Sequence, residues 1–161
     1  MPKLRPKYGV LGTVGPAPGF SWAEVRCTDG TLPTSLLMRR RFVVQARLLN
    51  VFRAKLAKRY GVPTSDVSIV VNSWYRSPAY NRRIGGASKS QHVEGRATDI
   101  RVYLKPRRAA RVMLKPSFVA HLLARYVPQF AGGGIGWYDP AHGNFTHVDH
   151  RGYRARWVNV G

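Results

Sequence analysis

The stretch Ser90-Gln91-His92-Val93-Glu94-Gly95-Arg96-Ala97-Thr98-Asp99, answered near the C-terminus by Phe145-Thr146-His147-Val148-Asp149, decides how this chain folds. Residues 95–103 and 144–149 read as strands, and alternate residues of a strand face the same side. Ala97, Asp99 and Arg101 then share one face, with Thr98 and Ile100 on the other. In the later segment Phe145, His147 and Asp149 lie together, while Val148 and His150 point away. His147 and Asp149 therefore belong with the Asp99 side, and His150 does not. Two histidines and a carboxylate from these two stretches can hold one zinc ion. Three protein ligands leave a coordination position for water, which is how a catalytic zinc differs from a structural one. The reaction class this implies is metal-assisted hydrolysis.

The rest of the chain supplies elements to carry that pair of strands. Thr34 or Ser35 offers an N-cap for a long helix that Gly61 and Pro63 end. Val44, Leu48, Phe52, Leu56 and Tyr60 recur every four residues, with Val51 beside them, and predict its apolar stripe. Arg39, Arg40 and Arg41 read as part of its wet side. Residues 67–71 are a β-branched run, expected as a buried strand. Pro116 and Ser117 open a second helix that runs to Tyr126. Gly132-Gly133-Gly134 leads into Ile135-Gly136-Trp137-Tyr138, and residues 153–158 form a basic aromatic tail. Residues 1–19, rich in Gly and Pro, read as an extended arm, and 20–161 as one domain without internal repeats.

Composition bounds the function. The 161 residues are enough to bury a core without staples. A single cysteine, Cys27, excludes an intramolecular disulfide and any Cys-rich zinc finger; it reads as a buried small residue. No apolar run approaches the roughly 20 residues that span a bilayer. Tyr8-Gly9-Val10-Leu11-Gly12 is too short for a signal sequence, so the chain is expected to be cytoplasmic when made. Lys and Arg number 27 against seven Asp and Glu, a net charge of +20 that draws the protein to polyanions. Nucleic acid, an anionic wall polymer or another protein's acidic surface would all answer it. Glu94, Asp99 and Asp149 are three of the seven acids, and all sit beside the histidines.

Ser73-Trp74-Tyr75-Arg76-Ser77-Pro78-Ala79-Tyr80-Asn81, followed by Ile84-Gly85-Gly86-Ala87-Ser88-Lys89-Ser90-Gln91-His92 and then Gly95, Ala97 and Asp99, resembles the zinc peptidases of the D-Ala-D-Ala carboxypeptidase family, peptidase family M15. Gly134-Ile135-Gly136-Trp137-Tyr138 and Phe145-Thr146-His147-Val148-Asp149-His150-Arg151-Gly152 are similar to the C-terminal motif of its phage and bacterial wall-hydrolase branch. The resemblance spans roughly residues 20 to 157. It implies a single α+β domain of the D-Ala-D-Ala carboxypeptidase/hedgehog-like kind, an antiparallel sheet carrying Zn2+ with helices on its other face. It implies His92, Asp99 and His147 as metal ligands and Arg76 as the group that meets a substrate carbonyl or carboxylate. The substrate it implies is the peptide of peptidoglycan, cleaved by a phage lysin or virion-associated lysin. Tyr75, Gln91, Trp137 and Tyr138 are the expected lining of the cleft.

Three positions depart from the better-known members. Asn144 stands where an acidic general base is usual, three residues before the last histidine. Phe145 stands where others carry a histidine, and Trp74 where glycine is usual, a change expected to narrow the cleft. Asp149 is the first candidate for the base, or else orients His147 as a carboxylate behind it; Glu94 is the next. The rival reading is a structural or binding protein, a virion component or a polyanion-binding protein, that keeps the fold without turnover.

Overall fold

A computed structural model of the chain describes residues 15–160. The first fourteen residues of the expected arm lie outside these. Its last part, 15–19, lies against the domain: Ala17 is buried and bridges Phe20, and Asn50 Nδ2 donates to the Pro18 carbonyl.

A short helix α1 (Trp22–Val25) is opened by a capping box between Ser21 and Glu24. Helix α2 (Leu36–Tyr60) starts at the N-cap Ser35 and stops at Gly61, whose φ of 62° is the left-handed conformation that glycine adopts freely. Strand β1 (Val67–Ser73) follows, then helix α3 (Pro78–Arg83) and strand β2 (Ala97–Leu104). A two-residue strand β3 (Val112–Met113) precedes helix α4 (Pro116–Tyr126) and the short α5 (Pro128–Ala131). Strands β4 (Gly134–Tyr138), β5 (Phe145–Asp149) and β6 (Ala155–Asn159) complete the chain.

These strands form one sheet in the order β1-β2-β5-β4-β6, with β3 attached to β2. The pairs are antiparallel except β4 with β6, so the expected antiparallel sheet carries one parallel edge. The residues expected to be a basic tail supply that edge strand.

One face of the sheet is apolar and the other carries the site. Ile69, Ile100, Val102, Ile135 and Val148 are buried on the first, beneath α2 and α4. Helix α2 uses only part of the expected stripe: Phe52 and Leu56 are buried and Leu48 and Tyr60 pack partly against the core, but the buried face widens beyond it. Val44 and Val51 are each 45% exposed, while Phe42, Gln45, Ala46, Leu49, Phe52 and Leu56 are buried. At 3.6 residues per turn, a row taken strictly every fourth residue drifts by about 40° per step and winds off the core; the 42-45-46-49 spacing stays on it. Arg39 is buried as well, its Nε donating to the Pro33 carbonyl. Strand β1 is an edge strand with only alternate residues buried, not the fully buried strand its β-branched run suggests.

Trp74 lies in this core, edge-on to Phe20 and Phe42, and so does not narrow any cleft. Tyr75 follows it inward, its ring edge-on to Phe42.

Candidate metal centre

Antiparallel pairing sets Asp99 of β2 opposite His147 of β5, side by side on the face away from the helices. His92 reaches them from the turn before β2. His147 Nδ1 stands 2.9 Å from Asp99 Oδ1, and His92 Nε2 stands 3.2 Å from both. All three residues are buried. A tetrahedral zinc with bonds of about 2.1 Å keeps neighbouring donors about 3.4 Å apart. The group therefore needs only a slight spreading to hold such an ion.

The far nitrogen of each ring fixes which atoms are bare. His92 Nδ1 is 2.7 Å from the Trp74 carbonyl oxygen, which can only accept, so Nδ1 carries the hydrogen and Nε2 presents a lone pair. His147 Nε2 likewise donates to Asp149 Oδ2 at 2.9 Å, leaving Nδ1 bare in the neutral ring. Three lone-pair donors then face one another with no hydrogen between them, an arrangement that calls for a cation. Without a metal, a proton can serve. Burial opposes charging His147, but hydrogen bonds to Asp149 and Asp99 outweigh it and raise its pKa. Burial lowers that of His92. Burial also opposes ionising Asp99, yet the two histidines outweigh it and hold its carboxyl well below the usual range.

Asp149 stands behind His147, fully buried. Its oxygens accept from the Gly134 and Arg151 backbone N–H groups, the Arg151 guanidinium and His147. Burial opposes its ionisation, but hydrogen bonds from His147 and Arg151 keep the carboxyl below its ordinary range. A Cβ on Gly134 would lie 2.2 Å from Asp149 Oδ2, so glycine is what lets the carboxylate pack against β4.

The donors open onto a cleft of about 380 Å³ that Arg76, Lys89, Gln91, Tyr138, Arg151 and Trp157 help to line. Arg76 Nη2 pairs with Asp99 Oδ2 at 2.8 Å while its Nε donates to Ser73 Oγ. Of the four residues expected to line the cleft, Gln91 and Tyr138 do so. Tyr75 is in the core, because the chain turns under α2 after β1. Trp137 is on the helix side, since β4 turns Gly134, Gly136 and Tyr138 to the site and Trp137 the other way. Glu94 points outward, half-exposed and paired with Arg41. Asn144 lies beside Met113 and Trp137 in a separate hollow. His150 faces α2, its Nδ1 donating to Gln45 Oε1.

Trp157, like Lys89 and Arg151, is a lining residue that sequence reasoning missed. Its ring lies 4.9 Å from that of His147, and its Nε1 donates to the Tyr138 hydroxyl at 2.9 Å. It occupies the space over Gly136, where a Cβ would meet the indole at 2.1 Å. The glycine in Gly134-Ile135-Gly136 was the available signal that something large sits above the strand.

A search of the curated proteins found no match. Comparison with protein-family profiles matches residues 19–149 to Peptidase M15. That span takes in the donor group, the Arg76 segment and all of the sheet except β6, and the chain belongs to the peptidase M15 family.

Proposed function

We propose that this protein is a zinc-dependent peptidase that cleaves amide bonds in the peptide of peptidoglycan, as a D-Ala carboxypeptidase or an endopeptidase, in the setting of a phage lysin or virion-associated lysin. The observation that carries the reading is the convergence of His92 Nε2, Asp99 Oδ1 and His147 Nδ1 at the floor of an open cleft. Two imidazoles and one carboxylate are a usual donor set for catalytic zinc, and a zinc ion held there lowers the pKa of water toward about 7 and polarises a carbonyl.

The chain's own residues do the rest. Arg76 offers a cation to a substrate carboxylate or to a developing oxyanion. Asp149 orients His147 and fixes its tautomer; with its oxygens filled from the protein, it is a poor acceptor for a proton from the cleft. Among the described residues lining the cleft, Asp99 is the lone carboxylate. Proton removal thus lacks the carboxylate that commonly contributes about 10²–10⁴-fold, and this favours one second reading, a wall-binding protein that keeps the metal without turnover. Excess positive charge suits attachment to an anionic wall polymer under either reading, and to acidic surfaces of virion proteins.

The experiment is cleavage of a soluble wall peptide ending in D-alanyl-D-alanine, and of a cross-linked muropeptide, by the zinc-loaded protein. Release of amine from either supports the peptidase. Tight wall binding with zinc present and no cleavage supports the second reading.

A further inference from the structure

Arg76 approaches the donor group from the β1 side, through Asp99. On the other side, beyond β5, stand β4 and β6, and there the cleft is lined by Tyr138 and Trp157. An indole N–H can only donate, so in the 2.9 Å bond between them the Tyr138 oxygen is the acceptor. The phenolic proton is then left over, with no partner among the described residues. The position of the hydroxyl is also fixed. Trp157 Nε1 lies directly over Gly136, and Gly136 pairs with His147 across β4 and β5. The Tyr138 oxygen therefore leans back along the strand to the level of His147. Phe145 stacks on the Tyr138 ring at 4.3 Å and 17°, and Trp157 is held in turn between His147 and the Arg151 guanidinium, 5.5 Å from its ring.

Resting on the peptidase reading, we infer that Tyr138 is a catalytic residue whose O–H hydrogen-bonds the oxygen of the scissile carbonyl as that carbon becomes tetrahedral, and that Trp157 is the positioning residue that aims it. The phenol keeps its proton throughout; water adds across the amide, the C–N bond breaks and the amine leaves protonated. Arg76 and Tyr138 then hold the substrate from opposite sides of the donor group. Donors aimed at a developing oxyanion act most strongly in the transition state, so their removal lowers kcat more than it raises KM.

The test compares the zinc-loaded wild type with Tyr138→Phe and Trp157→Phe on a soluble wall peptide, together with binding of a phosphinate analogue of that peptide. Tyr138→Phe is expected to keep its zinc and its KM and to lose on the order of 10²–10³-fold in kcat. Its affinity for the tetrahedral phosphinate should fall in parallel, while Trp157→Phe loses roughly 10-fold in both as the hydroxyl is freed to rotate. A Tyr138→Phe protein with zinc bound, wild-type kcat and wild-type phosphinate affinity overturns the inference and leaves the peptidase intact. A zinc-loaded wild type that cleaves no wall peptide overturns both. If Tyr138→Phe does not fold, Trp157→Phe decides alone: an unchanged kcat at full zinc occupancy counts against the inference, and a lowered kcat at unchanged KM supports it.

Discussion

His147 is held from two sides, by Asp99 at Nδ1 and by Asp149 at Nε2, and the two carboxylates are not equivalent. Asp99 borders the cleft; Asp149 is sealed behind the ring by Arg151 and the Gly134 N–H. Asp149→Asn should therefore weaken zinc binding by about 10–100-fold, the usual cost of losing an outer carboxylate. Turnover at saturating zinc should fall far less than the roughly 10²–10⁴-fold expected of a lost general base. A chelator competition and a rate measured at excess zinc separate the two; unchanged affinity with a large rate loss would make Asp149 the base after all. Asp99 and His147 were legible because alternation along a strand is a strict rule, and it put them on one face with Asp149; His92, in the turn before β2, was legible only through the motif its segment shares with the family. The same rule, applied to β4, would have turned Trp137 away from Gly136 and Tyr138. Tyr75 was not legible in this way, since it lies beyond the end of β1, where alternation gives no direction.

Helix α2 and strand β5 meet through Gln45, which is fully buried, donates to the Val148 carbonyl and accepts from His150 Nδ1. Burial pushes the His150 pKa down to about 4, helped by the nearby Arg96 and Arg41 charges. A histidine depressed in this way favours the fold while neutral. Its contribution is complete above its unfolded pKa of about 6.5 and is lost as pH falls from there towards 4. Discounted for partial exposure, the loss is on the order of 2 kcal/mol. Denaturant unfolding at pH 7 and at pH 4 should show the wild type losing more stability than His150→Gln by about that amount, and equal losses would contradict it. The helix itself was legible from its caps, Ser35 and Gly61. Its buried face was legible only in part, at Phe52 and Leu56; the turns around Arg39 and Gln45 were missed because polar residues hide a stripe. Strand β6 was hidden for a similar reason: Arg154 and Arg156 make an edge strand look like a solvated tail.

Across the whole molecule, charge and site are separable. Asp99 and Asp149, two of the seven acids, are buried, which leaves five others against the 27 basic residues of the sequence. Arg107 and Arg108 stand exposed in the loop between β2 and β3. If this excess of positive charge holds the protein on an anionic wall, binding should weaken steeply with salt, since screening limits exposed charges to about 8 Å at 0.15 M. Cleavage of a small soluble peptide should be far less sensitive. Arg107→Glu with Arg108→Glu should impair sedimentation with purified walls and leave soluble-peptide turnover nearly intact; wall binding indifferent to salt and to the reversal would contradict this. Among the described residues no helix is long and apolar enough to cross a membrane. All of this turns on the three bare donor atoms. Elemental analysis of the purified protein and of His92→Ala, Asp99→Ala and His147→Ala is the direct measurement. The account predicts about one zinc ion per chain in the wild type and most of it lost from each variant, because two remaining ligands make a poor site. Full zinc occupancy in all three variants would contradict it.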